Sequence, residues 1–234
     1  MIRCIFTTST FASLALLSSP GLCQASALAT ITAKQTGEIL SQPGRAFIQI
    51  PPASPDRPDV FNSVALSIGR NTLQARWNQV SGAGVGGAAA AFASSQRGKD
   101  VMARLEAVNS YVNGRVRYVD DRTQFGVADR WMTATETLSR GRGDCEDFAI
   151  AKRAMLRAAG VAESDLYLVV LKDLTRRADH AVLVVRAHGR FLVLDNGTNR
   201  IVDSSTAADY KPIFSFTAGR SYTHGYRSKD TAAS

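Results

Sequence analysis

The run Gly143-Asp144-Cys145-Glu146-Asp147 sets one thiol among three carboxylates. A cysteine attacks as the thiolate, and acidic neighbours oppose its ionisation. The pattern therefore admits an inert cysteine, a metal ligand, or a nucleophile whose ionisation is driven from elsewhere. Two further residues bear on the choice. The apolar runs 180–186 (HAVLVVR) and 190–195 (RFLVLD) flank a short Ala-His-Gly link, which predicts a tight hairpin. If Ala187 and His188 form its turn, His180 lies directly opposite Asp195. If His188 and Gly189 form it, the two are diagonal neighbours on the same face. Opposed positions bring Cβ atoms to about 4.5–5.5 Å, within reach of an imidazole–carboxylate hydrogen bond. An aspartate that fixes a histidine tautomer is the orienting half of a triad. With Cys145 at a helix start, the dipole and an imidazolium would favour its thiolate. Nucleophile, base and orienter then follow in chain order. Each residue also has a plainer reading: a strand-start histidine is often structural, and Asp195 before Asn196-Gly197-Thr198 could simply begin a turn.

These side chains need particular elements behind them. Residues 143–160 predict a helix with Gly143 or Asp144 near its N-cap and Gly160 as its stop. Phe148, Met155, Leu156 and Ala159 share one face, and the alanines between them permit close packing, so this helix should be central. Val101, Leu105, Val108 and Val112 define a second amphipathic helix. Thr133 and Glu136 form a capping signal for a third, short one. Residues 116–132 read as a short extended piece and loop. After the central helix come the strands 165–171, 180–186 and 190–195, apolar on both faces as interior strands are. A helix followed by antiparallel strands argues α+β. Upstream, 44–60 reads as a strand and proline-rich loop, 64–80 as weakly helical around Trp77, and the Gly/Ala-rich stretch 81–95 as a flexible connection or loose helix. The organisation expected is an N-terminal region 28–98, a catalytic core 99–220 and a polar tail 221–234, with His188 and His224 on the surface. Trp131 is a candidate second oxyanion donor or substrate wall, against a plainer role in core packing.

The chain has 234 residues, enough for one substantial core, with 45% hydrophobic and 21% charged residues, as in ordinary globular proteins. The net charge of +8 comes from scattered basic residues rather than a dense patch, which argues against a nucleic-acid footprint. Residues 1–27 read as a secretory signal peptide: Arg3, an apolar stretch from Phe11 to Leu17, and a small-residue site at Ala25-Ser26-Ala27. Cys23 could mark a lipoprotein anchor, but Leu22 stands where a small residue is wanted. Cleavage after Ala27 removes Cys4 and Cys23 and leaves Cys145 as the sole cysteine. An exported protein with one unpaired thiol has no intramolecular disulfide to make and uses the thiol otherwise.

At this point the residues resemble a family. The blocks GDCEDFAIAK, AMLRAAGV, DHAVLVV and FLVLDN, with AVNSYVN, VRYVDD and DRWMTATETL upstream and DYKPIFSF downstream, resemble the bacterial transglutaminase-like cysteine proteinases over about residues 60–217. The resemblance implies a papain-like/transglutaminase-like α+β fold, with Cys145 as nucleophile, His180 as general base and Asp195 as orienter. It implies a periplasmic endopeptidase that cuts a segment of a large surface adhesin at an Ala-Ala pair. It also implies an inner-membrane cyclic-di-GMP receptor as regulatory partner. Finally, it implies a calcium ion beside the nucleophile, held by Asp144 and Glu146 with Asp147. Carboxylate oxygens suit that hard ion, and its charge would offset acids that otherwise hold the thiol protonated. The same triad would serve acyl transfer to an amine, and a non-catalytic binding module is a third reading.

Overall fold

The computed structural model describes residues 56–227. The expected signal peptide, Cys4, Cys23 and the strand and loop at 44–55 lie outside the described residues. In chain order the elements are β1 (Val64–Ile68), α1 (Gln74–Val80), α2 (Gly87–Ser95), α3 (Val101–Arg115), β2 (Arg117–Tyr118), α4 (Asp121–Phe125), α5 (Ala134–Arg140), β3 (Arg142–Gly143) and α6 (Cys145–Ala158). Then follow β4 (Leu166–Asp173), β5 (Ala178–Ala187), β6 (Arg190–Leu194), β7 (Val202–Asp203), β8 (Tyr210–Thr217) and β9 (Arg220–Gly225).

Seven strands form one antiparallel sheet in the order β1-β9-β8-β4-β5-β6-β7. The protein is α+β, as its pattern of elements predicts. Helix α6 is the buried centre of the helical layer, with eleven of its fourteen residues inaccessible. Ala149, Ala151 and Ala154 let it approach its neighbours closely, while Phe148, Met155 and Leu156 fill the core. Each large side chain buried this way contributes about 1.5–3 kcal/mol. Leu166, Leu168, Leu183 and Leu194 pack on the helix side. Val169, Leu171, Val182, Val184 and Val193 face the other way, against Val60 and Phe61. Strands filled on both faces explain why the runs lack polar alternation.

Some expectations change. The segment 64–80 is not one weak helix: its first part is β1, paired through Ser67 with Tyr222 and through Ala65 with His224, and only 74–80 is helical. The tail from 221 is not outside the fold, because β9 joins β1 to β8. His224 is accordingly half-buried and engaged on both ring nitrogens rather than a free surface residue. Its Nδ1 meets Ser63 Oγ at 2.7 Å and its Nε2 meets Ser215 Oγ at 2.6 Å. Ser63 donates its only proton to Val60 O, so His224 Nδ1 carries the hydrogen and Nε2 accepts. The 81–95 stretch takes the helical one of its two readings, as α2, whose Ala89 and Ala93 are buried and whose Phe92 stacks on Tyr111 with ring centres 4.3 Å apart. His188 is exposed, as expected.

Candidate active site

The hairpin between β5 and β6 pairs Ala187 with Arg190, leaving His188 and Gly189 as the turn. Both have positive φ, 50° and 72°, which a two-residue hairpin of primed type requires. This is the second of the two registers considered, so His180 and Asp195 are diagonal neighbours. The parity holds: His180 Nε2 lies 3.2 Å from Asp195 Oδ1, with both side chains buried. Because Nε2 donates to the carboxylate, Nδ1 is the atom free to exchange a proton.

Asp195 is held from several sides. Its Oδ1 also accepts from the Gly197 N–H at 2.9 Å, and its Oδ2 accepts from the Tyr210 hydroxyl. Its backbone carbonyl accepts from Asn113 Nδ2 at 3.0 Å. Asn109 and Asn113, on one face of α3, both reach the Thr198 carbonyl, so the amphipathic helix at 101–115 anchors the segment behind Asp195. Burial alone would push the Asp195 carboxyl up, but hydrogen bonds from His180, Gly197 and Tyr210 outweigh it and hold it below the ordinary carboxylate range. The result is an ionised aspartate with its acceptor capacity used.

Cys145 opens α6 and is free. It lines a cavity of about 440 Å³ together with His180, Trp131, Tyr118, Ile213 and Phe214. Ile213 reaches it through an irregularity: pairing of β4 with β8 shifts between Val170 and Leu171, leaving Ile213 as the extra residue. Bulges of this kind re-aim side chains beside sites. Trp131 is both wall and core, since its ring stands edge-on to Phe216 with centres 6.0 Å apart.

The thiol donates to Glu146 Oε2 at 3.2 Å. Burial raises its pKa, and the charges of Glu146 and Asp144 raise it further, while the Ala181 N–H opposes them. Burial is the larger cause and the acids add to it, so the helix start alone does not ionise Cys145.

Those acids are arranged differently from the expected trio. Ligand atoms of Asp121, Asp144 and Glu146 lie within 4.8 Å of one another, all three residues buried. Asp147 is turned elsewhere: its carboxylate accepts from the Met132 N–H at 2.8 Å and from the Asp144 N–H at 3.2 Å, which serves the helix start and the 131–132 loop. Gly143 makes room for it, since a Cβ there would stand 2.7 Å from Asp147 Oδ2. The third member, Asp121, arrives through tertiary structure. The parallel bridge of β2 with β3 pairs Tyr118 with Gly143, and Asp121 follows it to lie beside Asp144. Burial, then mutual repulsion, pushes Asp144 up to about 9, and burial raises Glu146 to about 7. Asp121 is raised too, chiefly by burial. Oxygens Oδ1 of Asp121 and Asp144 are buried with no partner among the described residues. Three convergent hard donors, two orphaned oxygens and suppressed ionisation fit a divalent cation such as calcium.

The family model described as bacterial transglutaminase-like cysteine proteinase BTLCP matches residues 86–221. Among solved structures, LapG of Legionella pneumophila is 31% identical, covering 64% of this chain and 78% of its own, with a TM-score of 0.51. The calcium-bound form of that protein is 29% identical over 70% of this chain and 88% of its own, with a TM-score of 0.53. The EGTA-treated form gives the same identity and TM-score over 70% and 82%. Among curated proteins, none matches the sequence.

Proposed function

We propose that this chain, a cysteine peptidase that belongs to the bacterial transglutaminase-like cysteine proteinase family, hydrolyses exported proteins through a Cys145–His180–Asp195 triad. One observation carries the triad: Cys145 and His180 line the same cavity while His180 Nε2 sits on Asp195 Oδ1. His180 Nδ1 takes the thiol proton, Cys145 Sγ attacks the scissile carbonyl, and the Cys145 backbone N–H at the helix start faces the developing oxyanion. His180 then returns the proton to the leaving amine, and water attacks the thioester by the same base. Asp195 keeps the imidazole oriented throughout. Trp131 forms a wall for the bound segment.

Asp121, Asp144 and Glu146 are the residues that would hold calcium. A calcium ion there supplies positive charge that offsets the carboxylates around the thiol. That LapG of Legionella pneumophila has a calcium-bound form supports calcium as the ion. The expected substrate is an adhesin-like or other envelope protein cut at an Ala-Ala pair in the periplasm, with a cyclic-di-GMP receptor of the inner membrane as regulatory partner. Among the described residues no helix is long and apolar enough to cross a membrane.

Incubation with an adhesin segment containing an Ala-Ala pair tests the proposal. Wild type cuts it, Cys145→Ala does not, and a chelator stops cleavage until calcium is restored. Equal cleavage by Cys145→Ala removes the triad, and chelator-resistant cleavage removes the ion. Adding a labelled amine separates hydrolysis from acyl transfer by the mass of the products.

A further inference from the structure

The catalytic cavity does not stop at its Trp131 wall. A second depression, of about 520 Å³, adjoins it and is lined by Val80 and Val127. Two ion pairs also border this depression, Arg76 with Asp129 at 3.3 Å and Arg130 with Glu136 at 3.0 Å. Asp129 and Trp131 line both hollows, so the segment 129–131 is the ridge between them. Each cation of the second depression is met by an acid, and Val80, Val127 and Trp131 give it apolar surface. Val127 is half exposed, at 46%. An uncharged aliphatic side chain suits such a hollow better than a charged one.

The backbone of the ridge is only half engaged. The Arg130 N–H donates to Asp121, and the Met132 N–H donates to Asp147 Oδ1 at 2.8 Å. Both of these carboxylates are buried, so they tie the segment down from inside. The N–H groups of Asp129 and Trp131 donate to nothing among the described residues, and their carbonyls accept from nothing. In an extended chain the main-chain groups of successive residues point to opposite sides. Alternation of tied and free groups therefore describes an edge strand, with one side fixed in the fold and the other open to a second chain.

We propose that residues 129–131 are an edge strand for the main chain of the substrate. The bound polypeptide lies extended along the ridge. Its carbonyls accept from the Asp129 and Trp131 N–H groups, and its own N–H groups donate to their carbonyls. Its side chains fall alternately toward the catalytic cavity and toward the second depression, which takes an uncharged aliphatic residue. This rests on the peptidase function proposed above, and it names the class of segment that the site takes: an extended, uncharged stretch on one side of the scissile bond. Main-chain pairing supplies affinity, and the two hollows supply selectivity for alternate side chains.

The test uses the full chain with calcium. The probe is a peptide with an Ala-Ala pair and about five uncharged residues on either side, the length of an ordinary strand. A series of such peptides carries one backbone N-methyl group at each position in turn. Affinity is read on Cys145→Ala by fluorescence anisotropy, and kcat/KM on wild type. On one side of the Ala-Ala pair, N-methylation of alternate residues is expected to cost at least tenfold in both quantities. Methylation of the intervening residues is expected to change them less than twofold. Asp129→Pro lacks the N–H, whereas Asp129→Ala loses the same carboxylate and keeps it. The Pro variant is expected to bind the unmethylated peptide at least fivefold more weakly than the Ala variant. N-methyl groups tolerated at every position outside the Ala-Ala pair, or losses without a period of two, overturn the proposal. Equal binding by folded Pro and Ala variants does the same. If Asp129→Pro does not fold, the N-methyl series decides alone. Cleavage by Cys145→Ala would instead overturn the triad itself, so the two failures are distinguishable.

Discussion

The function proposed above divides the acids around Cys145 into a set that would bind a cation and a structural clamp, and two substitutions separate them. Asp147 accepts from two buried N–H groups, those of Met132 and Asp144, at 2.8 and 3.2 Å. Asp147→Ala orphans both donors, at about 1–3 kcal/mol each, or about 2–6 kcal/mol together. For a folded unit of about 170 residues, where 1 kcal/mol shifts the melting temperature by about 2–4 °C, that is a fall of about 4–24 °C. Asp121→Asn behaves oppositely. The amide oxygen can still accept from the Arg130 N–H that Asp121 holds, and a repelled buried charge is removed, so the calcium-free melting temperature is unchanged or higher. Calcium at a hundredfold over its Kd stabilises wild type by about 2.7 kcal/mol, equivalent to about 5–11 °C. Thermal unfolding in chelator and in calcium is the assay. Asp147→Ala starts low but keeps most of the calcium increment, whereas Asp121→Asn starts high and loses it. An increment lost in Asp147→Ala and kept in Asp121→Asn would refute the division, and with it the reading of Asp147 as a clamp.

Three further outcomes follow from local geometry. Tyr210→Phe removes the hydroxyl that donates to Asp195 Oδ2 and lowers kcat/KM about tenfold, the lower range for a hydrogen bond to a charged group; steady-state kinetics check it. Gly143→Ala drives a methyl to 2.7 Å from Asp147 Oδ2 and 2.8 Å from its Cβ, and destabilises by about 1–3 kcal/mol in denaturant titration. His224 is pushed down to about 4, chiefly by burial, so the unfolded chain takes its proton first as pH falls. Stability from this group is complete above about pH 6.5 and is lost on the way down to about pH 4, with a ceiling of about 3 kcal/mol. Denaturant midpoints measured across that window show the loss, and His224→Gln flattens it.

What could be read from the sequence follows from how local its cause is. The α6 face through Phe148, Met155 and Leu156, and the strands around Val169, Val184 and Val193, announce themselves by periodicity within a few residues. The pairing of His180 with Asp195 followed from hairpin parity alone, because either two-residue turn leaves both on one face. Strand β1 was hidden because its partner β9 lies at the far end of the described chain, and nothing in VALSI fixes that pairing. For the same reason the tail around His224 passed for surface. Nothing local in the sequence marks Asp121 as a candidate ligand, because the two-residue bridge of β2 with β3 is what brings it to Asp144. A local signal did exist for the short helix it opens: Asp120 caps α4 by accepting from the Thr123 N–H, an Asp-x-x-Thr pattern. A capping carboxylate and a metal ligand look alike in sequence, so only the two backbone partners of Asp147 show that it serves the helix start.

The central claim is that Cys145 becomes covalently acylated. Wild type mixed with the adhesin segment, quenched in acid within the first turnover and weighed intact, should gain the mass of the N-terminal product, and digestion should map that adduct to Cys145. His180→Ala should show no adduct on that timescale. Cleavage that proceeds at the wild-type rate with no thioester on Cys145, or an adduct on another residue, would contradict the account.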